Sequence, residues 1–330
     1  MIDFWLADLR WLLLAPPLLN PEHDEFANKI VLHSASELAQ IDEWLLGLDS
    51  LTQRDKLSAW MASKPPKQIV RLGRYAEHLI EFYLRFGPLE RLVAANLQIR
   101  AAALATQRKD FTTIGEVDFL LRDVNDRPFH WELAVKYFVC RNIAKPRVDD
   151  LVGPDSAETF DQKIDKVMGK QLVQTPPAPY DQTMWQPQAF TRGWMFYRRG
   201  KARPTIPELA TNHLNGFWVE HKDITELVNG HYYIVPRARW LSPVVLANDV
   251  QVDIDLISLS ILHVRSLSIW TNQIALGRWP GGVLVARLEE TANGWREIER
   301  GFVMPDNWEL GRYAIEHSMQ ELHKVMSTRH

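Results

Sequence analysis

Two carboxylates, Asp118 and Glu132, fall on neighbouring segments that alternate apolar and polar residues. Val117, Phe119 and Leu121 alternate with Glu116, Asp118 and Leu120, and Trp131, Leu133, Val135 and Tyr137 with His130, Glu132, Ala134 and Lys136. Period two is the signature of a strand. Val124-Asn125-Asp126-Arg127 supplies a turn between the segments, so they form a hairpin that turns both carboxylates to a common side. Like charges placed together repel unless a cation lies between them. Hard oxygen donors with few soft ones suit Mg²⁺ or Mn²⁺. Glu77, on a preceding helix, offers a third carboxylate, and Lys136 shares the face of Glu132. A metal held in this way activates water and polarises a phosphoryl oxygen. Lys136 would orient that water or offset the developing charge.

The elements that must position these groups can be read from periodicity. Tyr75, Leu79, Phe82, Tyr83 and Phe86 share one face of a helix running from Gly73 to about Phe86 and stopped by Gly87-Pro88. Strands are expected at Leu97–Ala101, Ile114–Asp123 and Phe129–Val139. A helix then runs from Asp155 or Ser156, the candidate caps, to about Val173. Phe160, Ile164, Val167 and Leu172 form its buried side, and Lys163, Lys166 and Lys170 lie together on another. Before this core, a short helix ends at Pro16-Pro17. A second helical stretch covers residues 35–63, opened by a capping box of Ser34 and Glu37. After the core, strands are expected at Gly193–Arg198, Phe217–Glu220 and His231–Trp240. A hairpin over Val283–Val303 turns at Asn293-Gly294, and a helix covers Leu310–Met326. Pro- and Lys-containing Lys64–Lys67 and the Pro- and Gln-rich stretch 174–188 mark connections. The division is then an N-terminal helical region (1–66), a core (67–180) and an aromatic-rich α+β region (181–330), the last either separate or packed with the core.

Composition narrows the chemistry. The chain has 330 residues, 46% hydrophobic and 24% charged, with a net charge of −3. That excludes global disorder and binding of nucleic acid by bulk basic charge, though not by a local groove. A single cysteine, Cys140, excludes a disulfide framework, a disulfide-linked partner and a Cys-rich zinc module. Asp3, Asp8 and Arg10 interrupt the apolar N-terminal stretch, so no signal peptide and no membrane association are expected, and the chain is read as cytoplasmic. Phosphate-loop, Rossmann, zinc-helix and nucleophile-elbow patterns are all missing. Thirteen tryptophans point to a bulky core before an aromatic surface. Oligomeric state is not legible.

The order of helix with Glu77, strand with Gly115-Glu116-Val117-Asp118, strand with Glu132 and following helix resembles the PD-(D/E)XK nuclease superfamily. The resemblance implies a restriction-endonuclease-like α/β core that hydrolyses DNA or RNA with Mg²⁺ or Mn²⁺. It assigns metal binding to Asp118 and Glu132 with Glu77, water activation to Lys136, and a positioning role to Gln171 in Lys170-Gln171-Leu172. One position departs from the pattern. Ala134 stands two residues after Glu132, where the superfamily has its lysine, and Lys136 lies four residues after it, ~13 Å along a regular strand. The segments LGRYAEHLIEFYL, GEVDFLL, HWELAVKYFV and GPDSAETFDQKIDKVMGKQL, with RGWMFYR, RARWLSPV and RGFVMPDNW, are also similar to the bacterial domain-of-unknown-function family 1853.

Plainer readings stand beside these. Glu77 and Glu81 are one turn apart and could line a solvated helix face. Asp118 and Glu132 could face solvent on a one-sided sheet, and Lys136 could pair with Glu132 or Glu116. His130 reads first as a hydrogen-bonded strand residue and second as a ligand or proton carrier. Lys163, Lys166 and Lys170 either contact phosphates or form a charged outer face. Arg198, Arg199, Lys201 and Arg203 sit in a Gly- and Pro-containing loop that either follows a nucleic-acid backbone or is merely solvated. A nuclease-like fold that has lost catalysis, and binds nucleic acid or a protein without cutting, is the alternative function.

Overall fold

The computed structural model of the chain describes residues 2–48, 50–63, 71–101, 112–155, 158–247, 256–276 and 280–310. It is an α/β protein whose chain divides into two compact units. The first gathers residues 1–136, 163–193 and 207–214, and the second 137–162, 194–206 and 215–330. Both are discontinuous in sequence, because strands and helices return to a unit after leaving it.

In the first unit four helices pack together: α1 (Ile2–Leu14), α2 (Ala35–Gly47), α3 (Leu51–Ala62) and α4 (Leu72–Phe86). α1 buries Leu9, Leu12 and Leu13. Its buried Asp8 accepts a hydrogen bond from the Tyr75 hydroxyl at 2.7 Å, which ties α1 to α4. α2 opens on the expected capping box, with Ser34 and Glu37 bonded reciprocally. The helical stretch expected over 35–63 is present as two helices, since Gly47 ends α2 and Ser50 precedes a new start. α4 is buried from Tyr75 to Leu84 except at Glu77. Glu81, the presumed solvated neighbour of Glu77, is 6% exposed and held by Arg85.

β1 (Arg91–Ala101), β2 (Thr112–Arg122) and β3 (Pro128–Cys140) follow as an antiparallel set, with β5 (Gln186–Arg198) beside β3. β1 begins six residues before the expected Leu97, since pairing with β2 overrides the weak strand preference of Ala94 and Ala95. Val117 to Leu121 are all buried, so β2 is covered on both faces and the one-sided sheet is ruled out. The helix expected from Asp155 or Ser156 begins at Phe160. α5 (Phe160–Lys166) widens into a π-helical turn over Val167–Gln171, closed by the Leu172 amide donating to the Val167 carbonyl at 2.9 Å. Ser156 lies outside the described residues.

Gly193 lets β5 approach β3. A Cβ there would stand 1.9 Å from the Lys136 carbonyl oxygen. Gly193→Ala is therefore expected to destabilise the chain by about 3 kcal/mol or more through backbone displacement, read as a fall in the urea unfolding midpoint.

In the second unit β4 (Leu151–Val152) pairs with the end of β3. The strand order continues from β5 through β6 (Leu214–Glu220), β11 (Gly294–Met304), β10 (Val283–Thr291), β7 (His231–Ile234) and β9 (Leu256–Ile257), and β8 (Val245–Ala247) pairs with β11. β6 and β11 run parallel. The expected β10–β11 hairpin is present, with Ala292-Asn293 as its two-residue loop and Gly294 opening the second strand. β7 stops at Ile234, short of the expected Trp240, because Pro236 offers no amide to a ladder. α6 (Leu259–Ala275) was not legible. Its alternating Ser and apolar residues imitate period two, yet Leu262, Ser266 and Trp270 face inward at helical spacing. Among the described residues no tryptophan is exposed, in line with a bulky core. Buried Cys140 is free, and burial pushes its thiol up to about 12. No helix among the described residues is long and apolar enough to cross a membrane. Lys64–Lys67 and, past Leu310, the stretch expected as a helix over Leu310–Met326 fall outside the described residues.

Candidate active site

The hairpin opens where its chemistry lies. β2 and β3 pair from Phe119–Trp131 to Arg122–Pro128 and no further toward Asp118 and Glu132. Past that point each carboxylate bonds the backbone of the opposite strand. The Asp118 amide donates to Glu132 Oε1 at 3.2 Å, and the Leu133 amide donates to Asp118 Oδ2 at 2.9 Å. The two side chains thus replace the ladder bonds lost as the strands part, which satisfies amides that would otherwise be buried unpaired. Asp118 is 7% exposed and Glu132 fully buried.

Other elements close on Glu132. His130, two residues earlier on the same face, places Nε2 2.8 Å from Glu132 Oε1. Burial pulls its imidazole down to about 4 against the opposing pull of Asp118, so the ring is neutral and shares a single proton with Glu132 across this contact. Gln171, at the end of the π-helical turn, donates Nε2 to Glu132 Oε2 at 2.6 Å. An extra residue per turn advances the phase of the helix there, which carries Gln171 onto Glu132. Lys163 is the surprise of this helix. It is 9% exposed, while Lys166 and Lys170 are exposed. The shared charged face of the three lysines is therefore corrected. Phe160, Lys163 and Val167 point inward, and Ile164 is only half-buried. The positive charge of Lys163 acts on Glu132.

Glu77 enters from α4, one turn from its start. Arg74 Nη1 donates to Glu77 Oε2 at 2.7 Å and to Glu116 Oε1 at 3.0 Å, and Nη2 to Glu116 Oε2 at 2.6 Å. Burial is the first cause that raises all three carboxylates. Glu77 is pushed up to about 7 by burial and the charge of Asp118. Asp118 rises to about 7 by burial and the charge of Glu132. Glu132 also rises to about 7 by burial, against the bonds from Asp118 and the charge of Lys163. All three carboxyls are thus held well above the range near pH 4 in which they ordinarily ionise.

The remaining expected residues divide. Asp118, Glu132 and Gln171 are joined by hydrogen bonds, and Glu77 lies near enough for the charge of Asp118 to act on it. Lys136 is half-buried on β3 where that strand meets Gly193, and the charge of Lys163 acts on Glu132. The basic loop is largely committed elsewhere in its own unit. Arg198 pairs with Asp223 and Glu226, Arg199 pairs with Glu299, and Arg203 lies 5.7 Å from the ring centre of Tyr197, while Lys201 is exposed. Two charges offered for a phosphate backbone are thus matched internally. Sequence reasoning missed Arg74, Glu116 and the inward turn of Lys163. Arg74 and Glu77 are three apart on a helix, a spacing that could have signalled their pair.

Among the described residues no three His, Cys, Asp or Glu side chains form a metal-ligating group. The donor chemistry nevertheless fits a hard divalent cation. Gln171 Oε1 is buried without a hydrogen-bond partner among the described residues, although its Nε2 is fixed on Glu132. An orphaned oxygen acceptor beside carboxyls whose negative charge burial opposes suits an oxygen-seeking cation.

Comparison with known proteins adds membership and nothing of activity. No curated protein and no solved structure matches the chain. A family model described as "Domain of unknown function (DUF1853)" matches residues 7–304, a span that takes in α4, the opened hairpin and the π-helical turn, and the chain belongs to that family.

Proposed function

We propose that the chain hydrolyses phosphodiester bonds in DNA or RNA, at a site built on Asp118 and Glu132. The observation that carries this reading is the opened hairpin, where the buried carboxyls of Asp118 and Glu132 meet the charge of buried Lys163, with half-buried Glu77 near enough for Asp118 to act on it. The order α4, β1, β2, β3 and, after the short β4, α5 is the order of helices and strands on which the PD-(D/E)XK resemblance rests. Asp118 and Glu132, with Glu77 and the Gln171 carbonyl oxygen, would hold Mg²⁺ or Mn²⁺. When bound, the ion supplies Lewis-acid activation of water and of the phosphoryl oxygen. The chain's own groups do the positioning. Gln171 and neutral His130 fix the two oxygens of Glu132, and the Leu133 amide fixes Asp118. Lys163 offsets negative charge in a place shielded from water, where a charge acts strongly.

Calorimetric titration with Mg²⁺ and Mn²⁺, run with cleavage of single- and double-stranded DNA and RNA, tests the reading. The wild type is expected to bind metal and cut, and Asp118→Asn to do neither while keeping its circular dichroism. Equal cleavage by that variant removes Asp118 from the mechanism. One observation favours a second reading, a nuclease-like protein that binds without cutting. Both Glu132 oxygens and Glu77 Oε2 already accept bonds from protein donors. Nucleic-acid affinity that falls steeply with salt, with no metal-dependent cleavage, selects it.

A further inference from the structure

We propose that Arg74 is the substrate-positioning residue of this site, exchanging its carboxylate partners for a backbone phosphate of the nucleic acid. The inference rests on the hydrolysis reading above and adds to it the group that receives the substrate. A phosphodiester approaching Glu77, Asp118 and Glu132 meets negative charge, so a cation must face the side from which it comes. Lys163 is too deeply buried for that part. The Arg74 side chain is 43% exposed, while that of Glu77 beneath it is 16% exposed. Its guanidinium already makes the paired, planar contact with Glu116 that a phosphate would also accept.

The resting place of Arg74 is itself built. Arg74 Nη1 also donates to Asn96 Oδ1 at 2.9 Å. Asn96 has φ of 53° inside β1, at the position flanked by the Ala95–Phe119 and Leu97–Val117 pairs, and so lies across from Asp118. A left-handed residue within a strand is costly and persists only when its surroundings impose it. Here it turns an acceptor toward Arg74. The same guanidinium occupies Glu77 Oε2. If a phosphate drew Arg74 away, that oxygen would be freed to serve a cation beside Asp118 and Glu132.

The exchange predicts effects of opposite sign, which a merely structural arginine would not give. The full chain is titrated with Mn²⁺ alone by calorimetry, and separately, in chelator, with a short fluorescein-labelled DNA duplex and its RNA counterpart. Arg74→Gln is expected to weaken nucleic-acid binding about tenfold, the loss of one charge-assisted contact, while Mn²⁺ binds more tightly. Arg74→Lys recovers only part of the nucleic-acid affinity, because an ammonium lacks the planar fork. Glu116→Gln, which releases Arg74 without removing it, is expected to tighten nucleic-acid binding. Circular dichroism checks each fold. A wild type that binds both probes, with variants that bind nucleic acid equally well or lose both affinities together, overturns the role of Arg74 alone. A wild type that binds neither probe overturns the hydrolysis reading, and this role with it.

Discussion

Lys163→Met is expected to lower the rate of metal-dependent cleavage by about 10²- to 10⁴-fold, the range for loss of a group that stabilises or moves charge in a transition state. Lys166→Met and Lys170→Met are expected to change it by less than about tenfold, through weaker and salt-screened attraction of the substrate. The three lysines belong to one helix and its π-helical continuation, yet only Lys163 is buried. A buried ammonium carries a desolvation cost that is repaid by carboxylate neighbours, and its charge acts on Glu132. Methionine keeps the length and apolar stem of lysine and removes the charge, so packing is largely preserved. The measurement is single-turnover cleavage under saturating Mg²⁺, with thermal unfolding followed in parallel. A folded Lys163→Met variant that cuts at the wild-type rate sinks the assignment. Lys136→Met in the same series tests the position that the sequence pattern favours.

The contrast between Lys136 and Lys163 shows where sequence reading succeeds and where it stops. Period-two alternation placed Asp118 and Glu132 on facing strands, because a strand's side-chain direction follows from residue number alone. Helical spacing put Glu77 near them, and a motif put Gln171 near Glu132. Lys163 was assigned outward because the phase was carried through a regular helix. The π-helical turn over Val167–Gln171 breaks that phase, so a pattern fitted to Leu172 misplaces the start of the helix. Arg74 was illegible for a different reason. Its partners Glu116 and Asn96 are 42 and 22 residues away, and ion pairs between distant segments leave no periodic trace. The hairpin itself was legible, but its opening was not. That the strands part at Asp118 depends on what packs between them, and no local preference records it. The basic loop failed similarly. Arg198 and Arg199 look available until folding brings Asp223, Glu226 and Glu299 to them.

Metal-free protein is expected to lose stability as pH rises from about 6.5 to 8 and to regain it when Mg²⁺ is added at pH 8. The sign follows from which state holds more protons. Glu77, Asp118 and Glu132 are each pushed up to about 7 in the folded chain, whereas in the unfolded chain they release their protons near pH 4. Their contribution is complete below that lower range and is lost as pH climbs through 7. His130 acts in the opposite sense. Its folded value near 4 lies below the unfolded value, so the unfolded chain alone takes up a proton below about 6.5 and stability rises with pH there. The two effects oppose each other below pH 6.5, and above it only the carboxyls remain. One retained proton changes stability by about 1.4 kcal/mol per pH unit, so a fall in melting temperature of at least about 2 °C per pH unit is expected for a chain of this size. Asp118→Asn, which cannot ionise and no longer repels its neighbours, should flatten the decline. Mg²⁺ at millimolar concentration should raise the melting temperature at pH 8 and have little effect at pH 5.5, where protons compete with the cation for the same oxygens. Differential scanning calorimetry across that range reads all of these quantities. A flat profile above pH 6.5 in chelated wild-type protein contradicts the raised carboxyls. A steep profile that Mg²⁺ leaves unchanged keeps the carboxyls and rejects the cation.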